Sequence, residues 1–285
     1  MAYFNFQTKV VIHTKHKKLT YVYCKDAKRS MEIHFTIPFT NETEPNISEI
    51  SIYNMNKHDF NRIKKGTKVE LYAGYTGHVS LVTKGRIYRT TVPTVDDADV
   101  EYTLRVIEGK DYTKMKKVKK SFKKRTHAKT MIHEICKKAG IKLNLISLYK
   151  NKLYKSSNSI DDHPISALED LADDCKTSLY YDRGHLTMKY AYDKKKEHVI
   201  KLSPANGLIT TPEKESRDDD WEGKSDDDEL GRWSWDVESI FNPHIHTFAK
   251  VHVKSRYVST TMMVLNGEHS FDGENPRTKF EGVTK

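Results

Sequence analysis

The chain has 285 residues, 36% hydrophobic and 31% charged, which is long enough for two or three domains that fold without metal or disulfide staples. Its three cysteines, Cys24, Cys136 and Cys175, are too far apart for a disulfide framework or a metal-ligand motif, which predicts a reducing environment. No apolar run approaches the ~20 residues that cross a bilayer, and no charged-then-apolar leader opens the sequence. We therefore expect no membrane insertion and no signal peptide.

The net charge of +10 is unevenly distributed along the chain. Eight of the twelve residues 114–125 are lysine or arginine, whereas residues 213–229 contain ten acidic and three basic residues, a net charge of −7. Opposite charge blocks on identical chains favour head-to-tail contacts between copies.

The first hundred residues have the pattern of short β-strands. Apolar and polar side chains roughly alternate in several segments, and Gly66, Gly74 and Gly77 mark turns between them. A short helix is predicted at 56–64, with Asn56 as its N-cap. Short strands punctuated by glycine indicate a barrel or a sandwich. The predicted strands are 7–13, 31–36, 47–53, 67–73, 79–88 and 100–107.

The middle of the chain has helical periodicity instead. Thr126 is predicted to cap a helix that ends at Gly140, and a second helix is predicted to start at Asp162 or His163 with Pro164 in its first turn. A hairpin follows, with strands at 178–182 and 185–191 around an Arg-Gly turn.

The last part of the chain returns to a β pattern after the acidic stretch. Residues 213–229 are poor in apolar side chains, so we expect a mobile loop there. Strands are predicted at 233–240, 248–253, 257–265 and 278–283, with turns at Asn242-Pro243, Asn266-Gly267 and Asp272-Gly273.

These elements predict an α+β fold that is mainly β, with two small β-barrel domains flanking a helix-helix-hairpin α+β domain. The predicted domains are residues 1–110, 111–198 and 199–285, and the third contains the acidic loop at 213–229.

Catalytic and metal-binding signatures are missing from the sequence. It contains no GxSxG, Walker-type GxxxxGK[ST], GxGxxG or HExxH motif. The closest histidine cluster, His244, His246 and His252, has no cysteine or carboxylate partner at ligand spacing, so packing or solvation is favoured over a metal site. The aspartate runs 218–220 and 226–228 lack the pattern of a calcium loop. We predict no enzymatic activity, no catalytic or metal site and no cofactor.

The run KMKKVKKSFKKR is the strongest sequence argument for nucleic-acid binding, because its cations could neutralise several phosphates. Phe122 is its one aromatic residue, which is too little for a stacking platform. A solvated or subunit-contact strand is the favoured interpretation, since lysines on an edge strand also prevent aggregation.

Several segments resemble the hub proteins of bacteriophage tail baseplates, the late-control protein D family and its relatives in phages or prophages of Gram-positive bacteria. The first is ISIYNMNKHDFNRIKKGTKVELYAGYTG, which resembles the strand, short helix, KKG turn and V.L.AGY strand of the first barrel. The second comprises THAKTMIHEICKKAGI, PISALEDLADDC and YYDRGHLTM. The third comprises Gly207-Leu208-Ile209 with Pro212, Phe241-Asn242-Pro243 and HSFDGENPRTKFEG. The acidic insertion departs from the family pattern.

The resemblance implies a structural subunit of the baseplate hub that assembles as a homotrimer. Two barrels per subunit would give a ring of pseudo-sixfold symmetry that joins the tail tube to the spike or tip. Implied partners are further copies of the chain and the tail tube, tape-measure and spike or tip proteins, with DNA only passing through the channel. The implied location is the tail baseplate of the virion, and the host cytoplasm during assembly.

Charge alone suggests which residues form the contacts between subunits. The candidate positive contacts are Lys116, Lys117, Lys119, Lys120, Lys123 and Lys124, and the candidate negative contacts are Asp218, Asp219, Asp220, Asp226, Asp227 and Asp228. Two alternative functions stay open, a basic nucleic-acid-binding module and a tail-associated cell-wall hydrolase.

Overall fold

A computed structural model describes residues 5–25, 28, 30–112, 114–192, 198–216 and 233–284. The fold is mainly β with three short α-helices in this part of the chain. The elements divide into two compact units, one containing residues 1–40, 46–108 and 196–285, and the other residues 41–45 and 109–195.

The first unit contains most of the strands. Those before the middle unit are β1 (Phe6–His13), β2 (Lys18–Cys24), β3 (Ile33–Phe39), β4 (Ile47–Tyr53), β5 (Lys68–Tyr75), β6 (Ser80–Thr90), β7 (Thr94–Asp96) and β8 (Asp99–Glu108), with helix α1 (Lys57–Phe60) between β4 and β5.

The middle unit follows in the chain. Its strands are β9 (Val118–Phe122), β10 (Thr126–His127), β11 (Ile146–Ser147), β12 (Leu153–Tyr154), β13 (Asn158–Asp162), β14 (Ser178–Asp182) and β15 (His185–Lys189), and its helices are α2 (Ala128–Ala139) and α3 (Pro164–Asp173). The chain then returns to the first unit with β16 (Ile200–Leu202), β17 (Glu213–Ser216), β18 (Trp233–Ile240), β19 (Lys250–Lys254), β20 (Ser259–Phe271) and β21 (Arg277–Thr284).

One sheet runs through the whole first unit. Its strand order is β17-β18-β21-β20-β3-β4-β8-β6-β5-β1-β2, with β7 beside β8, β19 beside β20 and β16 beside β19. The antiparallel pairing of β3 with β20 joins the two β regions of the sequence, with Ile37 opposite His269 and Phe35 opposite Phe271. The predicted division into two barrel domains and a middle domain stays a prediction, while these contacts place both β regions in one unit.

Two apolar cores lie in the first unit, and each includes a side chain from the other β region. The larger core is built mostly from β1 to β8 but also contains Phe241 and Phe271 from the C-terminal region. The smaller core is built from β16 to β21 and contains Phe39 from β3. Phe241 is fully buried, and its ring centroid lies 5.1 Å from that of Phe6.

The middle unit packs α2 and α3 against the β14–β15 hairpin around its own core. The hairpin and the second helix are confirmed: His163 accepts a hydrogen bond from the Ile165 N–H at the start of α3, and Pro164 opens the helix. The hairpin turn has positive φ at both central residues, Arg183 and Gly184, as a type I′ turn requires.

Two local predictions are wrong. Thr126 lies in β10, and the N-cap of α2 is His127, whose side chain makes no capping hydrogen bond. Asn266-Gly267 is not a turn, because β20 continues through it with a bulge between Val264 and Asn266. The glycine is needed for a close approach of neighbouring groups, since a Cβ on Gly267 would lie 2.6 Å from the Phe39 ring.

Candidate assembly surfaces

The lysine-rich run forms strand β9 of the middle unit and its two flanks. Val118 and Phe122 are buried and fix the strand against the core of this unit, while β13 pairs with it on one side. The result is a two-stranded ladder with positive charge along its exposed surface.

Two of the six candidate lysines have acidic partners within the same unit. Lys119 Nζ lies 3.1 Å from Asp161 Oδ2, and Lys120 Nζ lies 3.1 Å from Glu134 Oε2. The hydrogen bond and the charge of Lys120 lower the pKa of Glu134. These two lysines are therefore compensated inside the chain and offer less charge to a partner.

The other four lysines are exposed at the ends of the ladder. Lys116 and Lys117 precede β9, and Lys123 and Lys124 follow it. None of the four makes an ion pair with the residues that the structure describes. The uncompensated positive charge of the run is thus concentrated at the two ends.

The predicted negative contacts, Asp218, Asp219, Asp220, Asp226, Asp227 and Asp228, lie outside the described residues. The start of the predicted acidic loop is described and differs from the prediction. Residues 213–216 form strand β17, which pairs with β18. Lys214 supports this pairing, because its ammonium lies 3.7 Å from the centroid of the Trp233 ring on β18.

A row of carboxylates crosses the end of the sheet, which the sequence pattern did not reveal. Glu213, Asp236 and Glu281 are direct neighbours on β17, β18 and β21. The Asp236 side chain retains exposed surface, yet desolvation and then the charges of Glu215, Glu281 and Glu213 raise its pKa. Strand register alone brings these acids together, and register is not visible in the spacing of the residues.

Four strands of the large sheet pair on one side only within the described residues. They are β2 and β17, at the two ends of the strand order, and β7 and β16, which branch from it. On β2, Leu19 and Tyr21 are buried while Lys18 and Thr20 are exposed. Such edges can accept a strand from a partner chain, and exposed lysine limits non-specific pairing.

An apolar hairpin is a third exposed surface. Val92 is 86% exposed and Val95 70% exposed, and both lie in the segment that joins β6 to β8. Exposed apolar side chains grouped in this way are typical of contact surfaces between proteins.

The three clustered histidines of the sequence lie on different elements. His244 and His246 lie between β18 and β19, and the His252 ring lies on β19 with its Nδ1 2.9 Å from Thr261 Oγ1. Across the described ranges, no group of three or more histidine, cysteine, aspartate or glutamate side chains is placed to hold a metal ion. In the same ranges no helix has the length and apolar character needed to span a membrane.

No protein-family model and no curated protein matches the chain. Solved structures do. A tail protein from Neisseria meningitidis MC58 has a TM-score of 0.68 at 11% identity, covering 98% of this chain and 97% of that one. The 43 kDa tail protein of prophage MuSo2 from Shewanella oneidensis has a TM-score of 0.66 at 12% identity, covering 96% of each chain.

A third structure extends the comparison beyond phages. It is an Escherichia coli component of the type VI secretion system, described as structurally similar to the T4 bacteriophage tail proteins gp27 and gp5. Its TM-score is 0.60 at 7% identity, covering 92% of this chain and 76% of that one. The resemblance to phage tail proteins that the sequence motifs indicated is confirmed at the level of the fold.

Proposed function

We propose that this chain is a structural subunit of the tail baseplate hub of a phage or phage-derived particle, where copies form a ring joining the tail tube to the spike or tip. The observation that carries this proposal is the match of the fold over nearly the full length of two tail proteins. The fold matches across both units and not in one common domain only. A shared role in tail assembly therefore explains the similarity better than the reuse of a single domain does.

The organisation of the first unit supports a ring of three copies. Its two β regions have separate apolar cores, joined by the β3–β20 ladder. Two similar β bodies in each subunit would let a homotrimer present six similar surfaces to a hexameric tube. The exposed strand edges and the hairpin around Val92 are surfaces through which neighbouring copies can pair.

The proposed partners are other copies of the chain and the tube, tape-measure and spike or tip proteins, with DNA only passing through the ring. Similarity to a protein that itself resembles gp27 and gp5 supports a position in the tail assembly. The proposed location is the virion baseplate, reached after assembly in the host cytoplasm.

We expect the role to be structural and not enzymatic, since two of the structural relatives are described as tail proteins. Purified protein should give no turnover of peptidoglycan at any pH between about 4 and 9, the range in which general acids and bases titrate. Sustained turnover that follows the protein through purification would favour the hydrolase alternative.

Imaging tests the hub proposal directly. Tails from phage carrying a tagged copy of this chain should show the tag at the baseplate end, and deleting its coding sequence should leave tails without a baseplate. A tag distributed along the tube, or normal baseplates without the protein, would refute the proposal.

A nucleic-acid-binding role is the second candidate, and the four exposed lysines at the ends of β9 favour it. If it is correct, duplex DNA is retained in a mobility-shift assay, and retention falls steeply with salt and is lost when Lys116, Lys117, Lys123 and Lys124 are changed to glutamine. The hub proposal expects weak retention under the same conditions.

A further inference from the structure

A cavity of about 510 Å³ lies within the middle unit. Three carboxylates line it, from Glu42, Glu44 and Glu169, and among the described residues no lysine or arginine does. Tyr112 and Tyr181 add aromatic surface to its wall. Carboxylates combined with aromatic rings are the donor set that accommodates an organic cation.

One of the three carboxylates is held by a neighbouring hydroxyl. The Thr43 Oγ1 lies 2.8 Å from Glu169 Oε1 and 3.0 Å from the Leu179 carbonyl oxygen, so its one proton is shared between these acceptors and anchors the segment carrying the other two glutamates. Within the described residues, Glu42 and Glu44 make no ion pair. The Lys110 ammonium lies 5.1 Å from the centroid of the Tyr112 ring and makes no ion pair with a described carboxylate.

A second polar group in the cavity wall also lacks a partner. His163 Nδ1 accepts the Ile165 N–H at the start of α3, so a neutral ring carries its proton on Nε2. His163 Nε2 is buried and makes no hydrogen bond in the described part of the chain. This atom is closed off from solvent, so a guest in the cavity meets the carboxylates and the tyrosine rings, which suit the side-chain cations of a basic peptide.

The same unit presents such a peptide at the opposite end of the β9–β13 ladder. Asp162 pairs with Val118 at the cavity end, directly before His163, while Phe122 pairs with Asn158 at the far end, roughly 13 Å away at 3.3 Å per residue. Lys123, Lys124 and Arg125 follow Phe122.

This three-residue turn is exposed and makes no ion pair with described residues. Arg125 has a φ of 65°, and this left-handed conformation turns the chain sharply. The turn therefore groups three cations at one point of the surface.

We propose that the cavity receives the Lys123–Arg125 turn of a second copy of this chain. The exposed carboxylates of Glu42 and Glu44 and the exposed cations of the turn lie at different places on one unit. Pairing them between copies makes a heterologous, head-to-tail contact, the kind that closes into a ring when the rotation between copies is suitable. This inference rests on the proposed function only in taking the neighbour to be another copy.

Charge reversal tests the contact by sedimentation velocity on the full-length chain at low ionic strength. The cavity variant is E42K/E44K, the turn variant is K123E/K124E, and the third variant combines all four changes. K129E/K155E is the matched control, because both lysines are exposed in the middle unit and lie outside the cavity and the turn.

The cavity and turn variants should each weaken self-association about tenfold or more, since attraction becomes repulsion at the contact. The combined variant should associate within about threefold of the unaltered chain, and the control should be unchanged. Circular dichroism checks folding, and E42Q/E44Q replaces the cavity variant if that variant does not fold.

Three outcomes would overturn the inference: no self-association of the unaltered chain, equal loss in the control, or no recovery in the combined variant. The second and third do not bear on the hub proposal, which depends on where the protein lies in the particle, whereas the first would also count against a ring that forms from this chain alone. The opposite result is also possible: the protein is absent from baseplates, but the combined variant recovers self-association. That result would refute the hub proposal and support the contact between the cavity and the turn.

Discussion

Asp236 stands between two glutamates in neighbouring strands, and this position determines how the protein responds to pH. Its raised pKa means that the folded protein binds a proton more readily than the unfolded chain. Desolvation of the charged carboxylate, and then repulsion within the row, destabilise the fold at neutral pH, and both are relieved as the pH falls through the raised pKa.

We predict that D236N raises the free energy of unfolding by about 0.5 kcal/mol at pH 7, because it removes a like charge directly opposite two others. The gain should shrink as the pH is lowered, since the original carboxyl then becomes neutral as well. Urea denaturation at several pH values measures it.

The control for this substitution lies two residues along the same strand. Glu238 faces Arg277, with 3.5 Å between Oε1 and Nε, so E238Q should leave stability unchanged or lower it slightly. A gain from E238Q equal to that from D236N would show that general charge reduction, and not the carboxylate row, is responsible.

His127, the N-cap of α2, is a second position at which a substitution should stabilise the fold. Its side chain makes no capping hydrogen bond, and the first turn of the helix contains no acidic residue. The Ala128 and Lys129 N–H groups already donate to the Lys152 carbonyl and to Asn151 Oδ1. H127D should therefore raise the free energy of unfolding by only about 0.5 kcal/mol, because the added carboxylate interacts well with the helix dipole. Thermal unfolding at neutral pH checks this, and a lower melting temperature would contradict it.

Among the elements, β20 contains a glycine whose position leaves no room for a side chain. A Cβ on Gly267 would lie 2.3 Å from the Lys279 carbonyl oxygen and 2.6 Å from the Phe39 ring. G267A should therefore lower the free energy of unfolding by about 2 kcal/mol through overpacking.

Gly77 offers the comparison for that prediction. Its φ is +82°, but nothing lies within 4 Å of an added Cβ, so G77A pays only the cost of the left-handed backbone, about 1 kcal/mol. Chemical denaturation of the two variants should rank them in this order. An equal or smaller loss for G267A would mean that the sheet relaxes around the methyl group.

Elements with a local signal were predictable from the sequence, and those set by distant contacts were not. Asn56 caps α1 through a hydrogen bond to the His58 N–H, and Gly140 ends α2 in the left-handed conformation, both as predicted. The Asn266-Gly267 pair looked like a turn because its role depends on Phe39, more than two hundred residues away.

The candidate contacts divide in the same way. Composition identified the lysine run, but which lysines are compensated depends on Asp161 and Glu134, which lie far along the chain or on another element. The cavity was not predicted either, because residues 41–45 belong to the middle unit although the neighbouring strands belong to the other. Residue spacing contains no information about that exchange.

On the scale of the whole molecule, the continuous sheet of the first unit raises the question of whether its two β regions fold together. Phe241 comes from the C-terminal region and is fully buried in the core of the N-terminal region, with its ring centroid 6.0 Å from that of Phe35. The β3–β20 ladder adds backbone pairing between the two regions.

We predict that F241A lowers the free energy of unfolding by about 3 to 4 kcal/mol through the cavity it leaves, and that both β regions lose stability together. Hydrogen exchange followed by mass spectrometry measures this, comparing β1 and β5 with β18 and β21. The Val237 side chain belongs to the smaller core alone. V237A should therefore lower the free energy of unfolding by less than F241A does, but it should also reduce the protection of both regions. In the contrary outcome, F241A lowers the protection of the amides in β18 and β21 while those in β1 and β5 keep theirs. The two regions would then be independent barrels, and the ladder between them would be a docking contact that does not couple their folding.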